Sequence, residues 1–344
     1  MSMNKLIIAT VSAAVGLVAV VVFGLFGCSS KAQDSVVVYV SEDQVFSEPI
    51  LRDFERETGI RVKAVFDTEE AKSTGVMNRL IAEKNNPQAD VYWANEPIRA
   101  EVLKQEGIAT AYQSPSAEGI PARFKDPQGY WTGFSARARV LIVNKSVADK
   151  PKSITAYGDP AFKGRAIIAN PLFGTTTTEI AALFMLWGDD KAKAFLADMK
   201  DNNVKIATSN GESADFVASG QFAFALVDSD DAAGRIKQGN PIEMIYPDQG
   251  ENELGCFIVP NAIVLIKGGQ HADAAKKLAD YLLSPDTERK LALSNAAQIP
   301  LHEGVETPPI VHKIETIKTM KTDYAAVARK MKEIEPLLKQ WVGL

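Results

Sequence analysis

Short apolar runs alternate with amphipathic helical stretches along most of this 344-residue chain, and that alternation restricts the fold more than any other feature. Residues 36–40 form a continuous β-branched and aromatic run, suited to a strand buried on both faces of a parallel sheet. A helix over 49–58 places Ile50, Leu51 and Phe54 on one face, and Gly59 stands where a left-handed helix end is favoured. Residues 60–66 alternate as the next strand. A helix over 77–84, a short strand over 90–93 and a helix over 98–106 stopped by Gly107 follow. The order βαβαβα predicts an α/β fold with parallel strands and right-handed crossovers.

The pattern restarts after another buried strand at 140–143. A strand over 166–169, helices over 179–187 and 191–199, a strand over 204–207 and a helix over 213–219 come first. A strand over 222–227, a helix from Asp231 and a strand over 242–245 complete a second α/β unit. Residues 257–266 are too long and too apolar for an average strand and read as the chain crossing back between units. From Ala272 onward the pattern is nearly all helical, with Ser284 and Pro285 starting a fresh helix as cap and first-turn proline. The expectation is two lobes with a ligand cleft between them: residues 34–135 with 262–344, and residues 136–261.

The first residues carry a separate signal. Lys5 precedes an apolar run over 6–26, which ends in Leu25-Phe26-Gly27-Cys28. A cationic head, an apolar body and a small residue before the cleavage point predict a lipoprotein signal peptide over 1–27, with Cys28 as the lipid-bearing first mature residue. Phe26 is bulky where a small residue is usual, and the run is also long enough for an uncleaved anchor. Both readings leave the remainder outside the cytoplasm, in the periplasm or cell envelope, tethered to a membrane. Cys256 is then the one remaining cysteine, so no intramolecular disulfide is expected. The net charge of −5 gives no basic footprint for nucleic acid. His271, His302 and His312 lack zinc-site spacing, and no Walker loop, nucleophile elbow or dinucleotide fingerprint is present. A monomer without a cofactor or a catalytic step is expected.

In parallel sheets ligands bind beyond the carboxyl ends of strands, so the polar groups that follow each strand are the candidates. Ser41, Glu42 and Asp43 follow the first strand, and Trp93, Asn95 and Glu96 end the third. Gly174 and Thr175, Thr176, Thr177 and Thr178 open a helix, whose free N–H groups and positive dipole end suit an anion or oxygen ligand. Asp228, Asp230 and Asp231 place three carboxylates in four positions, which repel unless a cation, hydrogen bonds or solvent relieve them, so Asp230 and Asp231 are metal-ligand candidates. Solvated turns and helix caps would use the same residue types.

With those residues in place, the mature chain resembles the periplasmic solute-binding proteins of ABC importers, in the group related to ferric-iron binders. The resemblance rests on Val38-Tyr39-Val40-Ser41, on the 54–62 and 87–93 segments, on Phe134-Ser135-Ala136-Arg137-Ala138-Arg139-Val140, on Tyr246-Pro247-Asp248-Gln249 and on Leu282-Leu283-Ser284-Pro285-Asp286. It implies a two-lobed binding protein that closes by hinge bending, serves permease and ATPase subunits, and carries ferric iron or an iron-chelate type solute. The family's iron-binding members usually place paired tyrosines after the strand over 222–227. Here Asp230 and Asp231 stand in that position, which leaves a small organic or phosphorylated anion as an alternative solute, held by the 174–178 helix start with Arg137 or Arg139. A secreted hydrolase using Asp230 or Glu96 as base lacks a nucleophile and a metal signature. A sensory or adhesive lipoprotein would share the same fold.

Overall fold

The structure, a computed structural model, describes residues 34–68 and 73–344, so the predicted signal peptide over 1–27 and Cys28 lie outside the described residues. β1 (Ser35–Val40), β2 (Arg61–Phe66) and β3 (Val91–Ala94) are parallel with β1 central, Val38 standing opposite both Ala64 and Val91. The helices between them are α1 (Gln44–Thr58), α2 (Thr74–Ala82) and, after β3, α3 (Pro97–Gln105). α1 begins five residues before the predicted start, because Pro49 sits inside the helix and not in its first turn. Its far end is as predicted: Gly59 adopts φ 72° and donates its N–H to the Glu55 carbonyl.

After the short β4 (Ala109–Thr110) comes β5 (Thr132–Asn144), thirteen residues long and buried throughout. The remaining elements are β6 (Ala166–Ala169), α4 (Gly174–Trp187), α5 (Asp189–Asp201), β7 (Lys205–Ala207), α6 (Asn210–Ala218), β8 (Phe224–Asp228), α7 (Ser229–Lys237), β9 (Ile242–Ile245) and β10 (Ile258–Ile266). The chain closes with α8 (Ala272–Leu282), α9 (Pro285–Leu293) and α10 (Tyr324–Val342). The predicted strand over 140–143 is thus the last third of a much longer one. Residues 132–138 of β5 pair with antiparallel β10, and residues 139–144 pair with β8 and β9, so one strand is shared by two sheets. In the first sheet β10 also pairs with β3, and in the second β6 lies parallel between β7 and β8.

The C-terminal stretch is less helical than its pattern predicts. Among the described residues, 294–323 hold no α-helix, since Pro300, Gly304, Pro308 and Pro309 interrupt it. Part of this segment returns to β5, where Ala136 and Ile299 exchange two backbone hydrogen bonds of 2.7 Å. Beside that bridge the β5–β10 register shifts between Pro260 and Asn261, and Ser135 takes φ 39°. A serine held in left-handed backbone needs support from its surroundings. The support comes from α9: buried Glu288 accepts hydrogen bonds from the N–H groups of Ser135 (2.6 Å), Leu301 (2.9 Å) and His302 (2.9 Å), and contacts His302 Nδ1 at 2.8 Å. His302 Nε2 lies 3.0 Å from the Ser116 carbonyl. Both ring nitrogens therefore face acceptors, the arrangement an imidazolium satisfies.

Among the described residues no helix is long and apolar enough to cross a membrane. Cys256 is buried, as expected for a structural thiol, and burial holds its pKa well above the usual thiol range.

Burial alone would lower the His302 pKa, but Glu288 outweighs it and the net shift is upward from 6.5. A raised folded pKa contributes stability that is complete below the unfolded value and is lost as pH rises through the folded value. Urea denaturation should show stability falling as pH is raised above 6.5, and His302→Gln should flatten that slope. An unchanged slope in the variant would rule out the charged clamp on Ser135.

Candidate functional site

The carboxyl ends of strands from both sheets meet at a cavity of about 120 Å³. Asp43 follows β1, Asn95 follows β3, and Arg137 points in from β5. Asn170, Phe173, Gly174, Thr175 and Thr176 follow β6, while Thr208, Ser209, Asn210 and Gly211 follow β7. Asp228, Asp230 and Asp231 come from the end of β8 and the start of α7. The first turns of α4, α6 and α7 thus border one small space. Ser209 caps α6 by accepting from the Glu212 N–H at 3.1 Å, but α4 has Phe173 as its cap residue and no side-chain cap. First-turn N–H groups have no partner within their own helix, so this end of α4 can donate to an anion.

Arg139 organises the wall of the cavity without lining it. It is fully buried on β5, and its Nε donates to Glu179 Oε2 at 2.8 Å. Nη1 donates to Thr175 Oγ1 (3.1 Å) and Asp228 Oδ1 (3.0 Å), and Nη2 to Thr176 Oγ1 (3.1 Å) and the Leu226 carbonyl (3.3 Å). Thr175 Oγ1 in turn donates to Asp228 Oδ2 at 3.0 Å and accepts from Asn210 Nδ2 at 3.0 Å. One guanidinium therefore ties α4 to β8, and the Thr175 and Thr176 hydroxyls are spent inside the wall. What the helix start offers a ligand is backbone N–H.

Arg137 differs. It is 4% exposed, its Nη2 donates to the Asn95 carbonyl, and its Nη1 lies 3.7 Å from Glu42 Oε2. Its Nε has no hydrogen-bond partner among the described residues. Burial alone would lower its pKa, but Asp228, Glu42, Asp230 and Glu96 outweigh that and hold it above the usual guanidinium range, so it is charged. Burial would likewise raise the Asp228 pKa, yet Arg139 and Arg137 bring it below the ordinary carboxylate range. Asp228, Asp230 and Asp231 each have an oxygen within 4.8 Å of the others, and Arg235 Nη1 lies 3.5 Å from Asp231 Oδ1. The cavity wall thus offers one buried cation, uncapped helix N–H groups and four carboxylates: Asp43, Asp228, Asp230 and Asp231.

Asp43, Asn95, Arg137, Gly174, Thr175, Thr176, Asp228, Asp230 and Asp231 are brought together as the sequence suggested. The structure does not bring the other candidates to the cavity. Ser41 turns toward Asp67 Oδ2 (2.8 Å) and the Tyr92 hydroxyl (2.9 Å), and Glu42 accepts from Gln298 Nε2 at 2.8 Å. Trp93 is fully buried, donating to Asn261 Oδ1 at 3.1 Å and packing on Phe134 with ring centroids 5.5 Å apart. Glu96 pairs with Arg99 at 2.8 Å, and burial raises its pKa against that pairing. Thr177 is buried on α4 away from the cavity. Asn170 and the 208–211 turn were missed, although both directly follow predicted strands and obey the strand-end rule that found the rest.

The α/β fold matches that of the two-lobed periplasmic ferric-binding protein structures. The chain matches the family of bacterial extracellular solute-binding proteins over residues 50–319 and belongs to that family. It is 25% identical over 321 residues to iron uptake protein A1 of Synechocystis sp., covering 89% of this chain and 86% of that one. Iron-bound HitA from Pseudomonas aeruginosa superposes with a TM-score of 0.79 at 21% identity, covering 90% of this chain and 100% of that one. AfuA from Actinobacillus pleuropneumoniae, with fructose-6-phosphate bound, superposes with a TM-score of 0.78 at 24% identity, covering 90% and 98%.

Arg139→Gln should leave Glu179 and Asp228 buried without their cation, a loss of about 3–5 kcal/mol in urea denaturation. A change below about 1 kcal/mol would show that Arg139 does not hold this wall together.

Proposed function

We propose that this chain is the solute-binding component of an ABC importer, tethered to the cell envelope by lipid at Cys28. Its lobes, residues 34–135 with 262–344 and residues 136–261, close on the solute, and permease and ATPase subunits receive the loaded form. The solute carries an anionic group seated against Arg137 and the start of α4. The observation that carries this reading is the buried, charged Arg137, whose Nε has no hydrogen-bond partner at the wall of a cavity bordered by three helix starts.

A ferric chelate fits the acidic side of the cavity. Its anion would meet Arg137, and the metal's remaining coordination positions would face Asp43, Asp230 and Asp231, whose carboxylate oxygens suit a hard cation. The iron-related names among the relatives support this choice. A metal-free phosphorylated anion is the second reading, favoured because no tyrosine or histidine stands among the residues lining the cavity. The structure of AfuA with a sugar phosphate supports the same reading. No catalytic step belongs to either.

Calorimetric titration with ferric citrate and a panel of phosphorylated anions tests both. Arg137→Gln should weaken every ligand at least about tenfold, the scale of one lost charge-assisted hydrogen bond. Asp230→Asn and Asp231→Asn should weaken ferric citrate but spare or strengthen a metal-free anion by relieving repulsion. Undiminished binding in all three variants would place the solute elsewhere.

A further inference from the structure

Gln298 is fully buried in the irregular segment after α9 and does not line the cavity. Its Nε2 donates to Glu42 Oε1 at 2.8 Å, and its Oε1 accepts from Asn261 Nδ2 at 3.0 Å. Asn261 Nδ2 also donates to the Ser135 carbonyl at 2.6 Å, and Asn261 Oδ1 accepts from Trp93 Nε1. These bonds meet where β10 shifts register against β5, the strand shared by the two sheets. We propose that Gln298 is a positioning residue for solute binding, holding Glu42 at a set distance from Arg137 and anchoring that distance to the kinked crossing of β5 and β10.

The distance is the substance of the proposal. Glu42 Oε2 stands 3.7 Å from Arg137 Nη1, close enough to favour the charged guanidinium and too far for a hydrogen bond. A carboxylate that is 3% exposed and loses a donor must find another or take up a proton. Without Gln298, Glu42 would move onto Arg137, the cation 3.7 Å away, and occupy the group that receives the anion. That move lowers anion affinity through Arg137, although Gln298 touches no solute; protonation of Glu42 in place would raise the affinity instead and would count against the proposal. The same amide links that geometry, through Asn261, to the register shift between β5 and β10.

The proposal rests on Arg137 being the anion-receiving group, so its test separates the two claims. Gln298→Met keeps the side-chain length and removes both hydrogen bonds. Gln298→Asn, too short to reach both partners, serves if the Met variant does not fold. Affinity for inorganic phosphate, measured by calorimetry, should fall about tenfold in the Gln298 variant and show no further fall when Arg137→Gln is already present. Solute-free urea denaturation of the same four proteins should show a coupling of at least about threefold in the unfolding constant. Equal phosphate losses in both backgrounds, or unfolding effects that simply add, would overturn the positioning role. Failure of the parent protein to bind phosphate would count against Arg137 as the anion group, and the solute-free cycle would then decide the link between Gln298 and Arg137 alone.

Discussion

The site depends on the buried Arg139 guanidinium. Its five hydrogen bonds reach two residues of the first turn of α4, Glu179 one turn further on, the carboxylate that ends β8 and a β8 carbonyl. A buried cation with this many acceptors holds its surroundings in one geometry, because each partner left alone would be a desolvated polar group. Two arginines one strand repeat apart therefore divide the work. Arg139 consumes the threonine hydroxyls to build the wall, and Arg137, on the same face of β5, keeps unsatisfied hydrogen-bonding capacity beside the cavity.

That division explains which parts of the site were legible in the sequence. Strand-end polar groups such as Asp43, Asn95 and Asp228 were found because the rule that locates them needs only periodicity. The misplaced candidates failed for a different reason. Trp93, Glu96 and Glu42 sit at strand ends too, but Asn261, Arg99 and Gln298, remote in sequence or on another turn, claim their polar atoms. Nothing local announces Asn261 or Gln298, whereas Arg99, three residues beyond Glu96, is a local partner. The α/β alternation and most element cores were readable, whereas the single long β5 was not, since its first half, Thr132 to Ala138, mixes small, polar and charged residues that become buried only when β10 and α9 cover them.

The charge pattern of the cavity narrows the chemistry it can serve. One cation and the uncapped start of α4 suit an anionic group, while Asp43, Asp230 and Asp231 line the same cavity. Carboxylates at helix starts are stabilised by the dipole, so Asp230 and Asp231 in the first turn of α7 need no bound metal to be tolerated. They would nonetheless repel a second anionic group strongly in so small a space. A solute with a single anionic end, free or bonded to a hard cation, meets both conditions.

The most direct measurement is a crystal structure of the protein purified without stripping its natural solute. An acidic group of the solute should contact Arg137 and the N–H groups at the start of α4, with Arg139 untouched behind Thr175 and Thr176. A solute that displaces Thr175 or Asp228 and binds Arg139 directly, or one seated away from Arg137, would contradict the division between the two arginines.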